Sequence, residues 1–375
     1  MINVASFYNC LLNQGVEFFT GVPDSLLKNI CAYIKDHTVP ERNIIAANEG
    51  ASVALAAGYH MATGNIPMVY LQNSGLGNTV NPLLSLADED VYKIPMLLMV
   101  GWRGEPGGKD EPQHVKQGKV TLDLLDAMGV PYKVLEQDSS KAEIQISELV
   151  DSIKATGIPH ALVIKKSTFS DYKLKSLEEA CALSMSRESA MKLVVDRLSP
   201  DDVVVSTTGK LSRELFEYRE ALGQGHEKDF LTVGSMGHCS AIALGIALEK
   251  PERAVYCFDG DGAVIMHAGN MATVGSLSPS NYRHIVFNNG AHESVGGQPT
   301  VGFEISIPEM ALASCYKRAF SVETETELVE ALEESGDIAG PVLIEIKVKI
   351  DSRKDLGRPT SSPKENKDLF MKFIR

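Results

Sequence analysis

The stretch Ala254-Val-Tyr-Cys-Phe-Asp259-Gly260-Asp261-Gly262-Ala263, continued after a small-residue segment by Arg283-His-Ile-Val-Phe-Asn288-Asn289, decides the fold. Residues 254–259 read as a buried strand, 263–271 as a helix opening straight after the glycines, and 283–289 as the next strand. Strand, helix and strand in that order form a parallel βαβ unit. Both strands therefore deliver their carboxyl ends, carrying Asp261 and Asn289, to the one sheet edge where ligands bind.

The donors gathered there are hard. A carboxylate oxygen of Asp261, an amide oxygen of Asn289 and a backbone carbonyl from the loop beyond, that of Ala291, suit Mg²⁺, with Ca²⁺ or Mn²⁺ as substitutes, and do not suit zinc. Gly260 and Gly262 let a ligand approach the backbone, and a helix opening at Ala263 turns free amides and a positive dipole end toward it. A diphosphate neutralised by magnesium is the chemical inference. The arrangement resembles the thiamine diphosphate motif, Gly-Asp-Gly and, after 25 intervening residues, Asn-Asn.

That resemblance implies a glutamate in another domain. Asn48-Glu49-Gly50, after an apolar strand at 44–47, opens a small-residue helix ending in Gly58-Tyr59, and is similar to the corresponding segment of the thiamine diphosphate decarboxylases. Glu49 is the candidate activator, because a carboxyl group hydrogen-bonded to the cofactor's pyrimidine ring in an apolar surround favours the tautomer that removes the reactive proton. Gly234-Ser235-Met236-Gly237 precedes a second small-residue helix, 241–248. In the family a bulky apolar residue at the place of Met236 props the cofactor into a bent shape, with Ser235 beside it. Thr208 and Gly209, and the turn Asn73-Ser74-Gly75, match segments lining the cofactor site. Gly75-Leu-Gly77-Asn78 superficially suggests a dinucleotide fingerprint, but its third glycine and its distal acid are missing.

Strands are expected at 16–20, 44–47, 67–71, 95–100, 131–135 and 161–165, with helical patterns between them. The alternation restarts at 202–206. The expectation is an α/β chain of two doubly wound parallel-sheet domains: a pyrimidine-binding domain at 1–170, a linker at 171–186, and a diphosphate-binding domain at 187–375 with a C-terminal tail. The 375 residues can bury two cores, and the net charge of −13 argues against nucleic acid and anionic membranes as partners. The amino terminus shows no basic and apolar leader, and no apolar run approaches a membrane span, which predicts a cytoplasmic protein. The six cysteines lack CxxC spacing and read as free thiols, with no metal cluster implied.

Two cofactor domains without a third resemble the phosphonopyruvate decarboxylases over nearly the whole chain, with the sulfopyruvate decarboxylases next. The resemblance rests on Thr20-Gly-Val-Pro-Asp24-Ser25, Asp110-Glu-Pro-Gln113-His114, Ser206-Thr-Thr208-Gly209 with Ser212-Arg213-Glu-Leu, Asn288-Asn-Gly-Ala-His292-Glu-Ser-Val-Gly-Gly-Gln298-Pro-Thr300, and the tail Asp355-Leu-Gly-Arg358 through Lys364 to Lys367. It implies non-oxidative decarboxylation of a 2-oxo acid, 3-phosphonopyruvate, to an aldehyde in phosphonate biosynthesis. Sulfopyruvate is the alternative substrate, and a carboligase or a cofactor-binding protein without turnover are the remaining readings. It also implies at least a homodimer with the active site at the subunit interface. Asp24, Gln113 and His114 stand where the family places proton-handling groups, although Gln113 replaces a histidine and leaves the donor open. A substrate with several negative charges needs cations, and Arg213 and Arg358 lead, with Ser25 and His292 beside them and Arg103, Lys109 and Lys364 as further candidates. The glycine-dense segment 101–109 reads either as a closing loop or as an inert turn.

Overall fold

In the computed structural model, which describes residues 1–175 and 183–375, the apolar runs of the sequence become strands of two parallel sheets. The chain divides into two compact units, Met1–Glu178 with His292–Gln298, and Glu179–Ala291 with Pro299–Arg375.

Among the described residues, the first unit holds strands β1 (Phe19–Gly21), β2 (Asn43–Ile45), β3 (Met68–Gln72), β4 (Leu97–Gly101), β5 (Tyr132–Val134) and β6 (His160–Ile164) in the order β2-β1-β3-β4-β6-β5. Every pairing is parallel. The central strands are covered on both faces, which is why they read as unbroken apolar runs. Met68, Tyr70, Leu97 and Met99 point into one core with Phe7, Leu11 and Ile30. Val69, Leu71, Leu98 and Val100 point into the opposite core with Val53, Ala56 and Leu125.

Among the described residues, the second unit holds β7 (Val203–Ser206), β8 (Asp229–Leu231), β9 (Val255–Gly260), β10 (Tyr282–Asn288), β11 (Arg318–Val322) and β12 (Val342–Lys347) in the order β11-β12-β10-β9-β7-β8. Read from its other edge, this is the first unit's order with six added to every strand, so one topology is used twice. In each unit the chain reverses direction across the sheet, between β1 and β3 and between β7 and β9. The carboxyl ends flanking such a reversal form the ligand-binding crevice of doubly wound sheets.

One expected element is broken. The helix predicted over 263–271 is a short helix, Asp261–Met266, and a second one, Gly269–Leu277, separated at His267, which leaves helical geometry with φ −134° and ψ 50°. The turn Ser235–Gly237 packs there: Gly237 adopts φ +83°, a Cβ on it would strike the His267 ring, and its carbonyl accepts a hydrogen bond from Asn270 at 3.0 Å. The expected linker at 171–186 lies partly outside the described residues, as does Cys181. Among the described residues no helix is long and apolar enough to cross a membrane.

Candidate active site

Glu49 is the first residue of the helix Glu49–Thr63, which follows β2 and is capped by Asn48, whose Oδ1 accepts from the Ala51 amide at 2.9 Å. The cap fixes where the helix starts and so where Glu49 sits. Its side chain is buried, and Oε2 accepts a hydrogen bond from Asn78 Nδ2 at 2.7 Å. Gly75 closes the other side: a Cβ there would lie 2.6 Å from Glu49 Cδ, a collision. The Gly75–Asn78 segment that resembled half a dinucleotide motif is therefore the wall against which Glu49 is set. It forms a single 3₁₀ turn, Asn73–Gly75, leading into the helix Leu76–Pro82. Ser74 is exposed, whereas Asn73 is buried and ties its turn to two neighbours, donating to the Arg103 carbonyl and to Thr121 Oγ1, each at 2.8 Å.

A second group in this unit forms around Arg103. Its guanidinium donates through Nε to Asp110 Oδ2 at 2.9 Å and through Nη1 to Ser25 Oγ at 2.7 Å. The bidentate grip drives the Asp110 carboxyl down to about 2, first through that hydrogen bond. Arg103 was expected as a further candidate cation for the substrate, and it is a half-buried brace whose guanidinium is engaged by Asp110 and Ser25. The segment 101–109 is likewise pinned at its start: the Trp102 indole is buried and donates to the Gly118 carbonyl at 2.8 Å.

Asp24 lies at the base of this group, fully buried, accepting the Leu26 amide at 2.9 Å, and burial raises its carboxyl to about 6. His114 is pushed down to about 4, chiefly by burial and then by Arg103, so it is neutral near neutral pH. As a store of a ready proton His114 is thus the weaker candidate, and Asp24 the stronger. Among the described residues, Asp24 Oδ1, Gln113 Oε1 and His114 Nδ1 are buried without a hydrogen-bond partner. Buried polar atoms left unpaired are costly, and a site that receives a polar ligand is a reason to carry them.

In the second unit, Asp261 follows β9 directly and is buried. Its carboxylate accepts from Thr300 Oγ1 and from the backbone amides of Gly262 and Asn289, yet burial raises it to about 6. Among the described residues no cationic side chain pairs with it. A buried carboxylate supplied with amides and hydroxyl but lacking a counter-cation fits a metal ligand. Asn289 is buried beside it, its Oδ1 accepting from the Ala291 amide at 3.1 Å. Asn288 does different work: its Nδ2 donates to the Gly302 carbonyl at 2.7 Å and to buried Glu345 at 2.8 Å, fastening the returning loop. The three residues expected to ligate, Asp261, Asn289 and Ala291, fit a hard cation by chemistry and burial, and Gly260, Gly262 and Ala263 stand at the strand-to-helix turn expected to cradle a diphosphate.

Across the same β7/β9 reversal, Thr208 and Gly209 close β7, with Gly209 at φ +115° opening the helix Lys210–Ala221. Ser235 sits at φ +55° in the turn that carries half-buried Met236. Arg213, on the helix after β7, is half-buried and makes no hydrogen bond or ion pair among the described residues. The tail packs on that helix: Lys210 Nζ donates to Ser352 at 2.6 Å, and Glu217 holds Arg353 and the Gly357 amide. Residues 210, 213 and 217 share one face, so the tail runs along the face that carries Arg213. Arg358, Lys109 and Lys364 are exposed. His292 differs from the expectation of a cation, because burial holds it near 4 and hence neutral.

Sequence reasoning missed Asn78, Thr300 and Gly302. A Cβ on Gly302 would come within 2.6 Å of both Asp261 Oδ2 and Asn288 Oδ1, so only glycine lets the loop return over these two side chains. Thr300 closes the segment 288–300 that carried the family resemblance but was assigned no role there, and no motif announces Gly302. Asn78 had a signal, a polar residue one helical turn beyond Gly75, but it was read as part of a failed nucleotide fingerprint.

Comparison with known proteins agrees with this geometry. Residues 4–127 match the thiamine pyrophosphate enzyme N-terminal TPP binding domain, and residues 207–346 the C-terminal TPP binding domain. The chain is 32% identical to a phosphonopyruvate decarboxylase of Streptomyces viridochromogenes, over all of this chain and 95% of the relative. A phosphonopyruvate decarboxylase of Streptomyces hygroscopicus is also 32% identical, over all of this chain and 94% of its own length. A sulfopyruvate decarboxylase of Methanosarcina acetivorans is 26% identical over 84% of each chain. With a glutamate set against one crevice, an Asp-Asn pair at the other and full-length relatives of this kind, the chain belongs to the thiamine pyrophosphate-dependent decarboxylase family, in the branch of the phosphonopyruvate decarboxylases.

Proposed function

We propose that the chain converts 3-phosphonopyruvate to phosphonoacetaldehyde and carbon dioxide with bound thiamine diphosphate and Mg²⁺, as a step of phosphonate biosynthesis in the cytoplasm. The observation that carries the substrate is the similarity along the entire chain to two phosphonopyruvate decarboxylases, against a partial and weaker one to a sulfopyruvate decarboxylase. Bound thiamine diphosphate supplies the electron sink that lets a 2-oxo acid lose carbon dioxide.

The chain's residues supply the rest. Glu49 holds a proton at the cofactor's pyrimidine ring. Asp261, Asn289 and the Ala291 carbonyl hold Mg²⁺, and the amides near Ala263 receive the diphosphate. Asp24, with its carboxyl raised to about 6, would hold a proton for the reacting side of the site, and neutral His114 and Gln113 would orient polar groups beside it. Arg213, unengaged by protein partners, receives the phosphonate, with Arg358 of the adjoining tail. Ser25 and neutral His292 contribute hydrogen bonds and no charge.

We also infer a homodimer or larger homo-oligomer with the active site at the subunit interface. Its support is the apolar groove of the first unit, lined by Phe18, Ile44, Ala51, Ala54, Leu55, Gly58 and Tyr59, whose small residues allow close helix approach. The free, exposed Cys315 suits a reducing compartment.

The test is aldehyde release from phosphonopyruvate, sulfopyruvate and pyruvate in parallel, read by a coupled alcohol dehydrogenase. Preference for phosphonopyruvate supports the reading, preference for sulfopyruvate replaces the substrate and keeps the mechanism, and no release from any of the three removes the activity.

A further inference from the structure

The sequence implied no metal cluster among the cysteines, yet the second sheet packs two of them together. Cys257 and Asp259 alternate on β9 and so share one face, and His284 lies opposite Cys257 on β10. Cys239, the first residue of the helix Cys239–Glu249, comes down on that face. Its Sγ stands 3.6 Å from Cys257 Sγ. The ligand atoms of Cys239, Cys257 and Asp259 all lie within 4.8 Å of one another, and His284 Nε2 is 3.7 Å from Asp259 Oδ2. All four residues are at most 1% exposed.

Two of these atoms face each other as an ion pair across 3.7 Å, outside hydrogen-bond range. Asp259 Oδ2 and His284 Nε2 have no hydrogen-bond partner. A carboxylate oxygen and an imidazole nitrogen facing each other beyond hydrogen-bond range in a dry core are expensive, and a cation between them and the thiols would satisfy both. The other ring nitrogen of His284 is fixed, with Nδ1 3.2 Å from the Tyr316 hydroxyl. That is the outer hydrogen bond that metal-ligating histidines use to set ring orientation.

We propose that Cys239, Cys257, His284 and Asp259 form a structural binding site for Zn²⁺, separate from the hard-cation site at Asp261. A tetrahedral zinc with Zn–S bonds of about 2.3 Å sets its two sulfurs roughly 3.8 Å apart, close to the spacing found here. Two soft thiolates and a borderline imidazole outweigh the one hard carboxylate and favour zinc over magnesium. The amino-terminal end of the helix at Cys239 offsets part of the negative charge. The ion would tie that helix to β9 and β10, just behind the turn that carries Asp261. Full burial means that it is loaded as the chain folds and resists exchange afterwards.

The test uses the full chain produced in zinc-supplemented medium, washed with EDTA to clear oxygen-bound cations, and reloaded with Mg²⁺ and thiamine diphosphate before elemental analysis. Roughly one zinc per chain is expected, falling to near zero in Cys239→Ser and Asp259→Ala. Chain produced with cobalt should show a thiolate-to-cobalt charge-transfer band, a readout that does not require the serine variant to fold. Wild-type chain without zinc, or zinc retained unchanged in both variants, overturns the site.

Discussion

Gly75 lies so close to the Glu49 carboxylate that no side chain fits between them, and Asn78, one helical turn on, donates to that same carboxylate at 2.7 Å. The 3₁₀ turn and helix after β3 are thus built around one acidic group contributed by the chain after β2. Gly75→Ala should displace Glu49 and lower turnover by about 10-fold to 1,000-fold while the chain remains folded. Circular dichroism together with steady-state rates checks this, and normal turnover would show that the contact does not set the glutamate.

Glu49→Gln keeps the size of the side chain and removes its proton chemistry. Decarboxylation should fall by about 10² to 10⁴, the usual worth of a positioned proton-transfer group, with thiamine diphosphate still bound in calorimetric titration. Asn78→Ala should show a smaller loss in the same direction. Unchanged turnover in the glutamine variant would end the assignment of Glu49.

The Arg103–Asp110 grip is a stability element as well as a site element. With the Asp110 carboxyl at about 2, below its unfolded value, its contribution is fully present above pH 4 and is lost as pH falls toward 2. Asp110→Asn should therefore cost about 2 kcal/mol at pH 7, and less below pH 3. Urea melts at the two pH values measure it, and equal costs at both would assign the loss to packing.

Arg213→Ala should raise KM for the phosphonate substrate by about 10-fold to 100-fold with a smaller change in kcat, because an anion-holding cation binds ground and transition states alike. Lysine at this position should recover only part of that loss. A mutant that loses kcat alone would move Arg213 away from substrate binding.

The sheets were legible because strands such as 97–101 and 203–206 are buried on both faces and carry unbroken apolar runs. Asp261 and Glu49 stood out as candidates because each follows a strand end and opens a helix, and Asn289 because it directly follows the next strand. The brace Ser25–Arg103–Asp110 was not, since it joins segments far apart in sequence that only the β1, β3 and β4 edge brings together. The break at His267 was hidden because residues 263–271 carry helical apolar spacing throughout, and the turn that packs there comes from around Gly237. The pairing of Cys239 with Cys257 escaped for the same reason: their proximity depends on a helix landing on a particular face of β9.

His114 provides a pH signature. Its ring is held at about 4 against an ordinary 6.5, so the folded chain resists protonating it while the unfolded chain does not. Stability from keeping this ring neutral is complete above pH 6.5 and drains away as pH falls toward 4. Asp24 acts in the opposite sense, because a carboxyl raised to about 6 favours folding at lower pH, so the wild-type profile alone mixes the two. Comparison with His114→Gln isolates the histidine. Between pH 7 and pH 5 the wild type should lose about 1 kcal/mol more than this variant, after allowance for partial solvent screening. Parallel slopes in denaturant melts of the two proteins would mean that the ring protonates freely in the folded chain, which would return His114 to the proton donors.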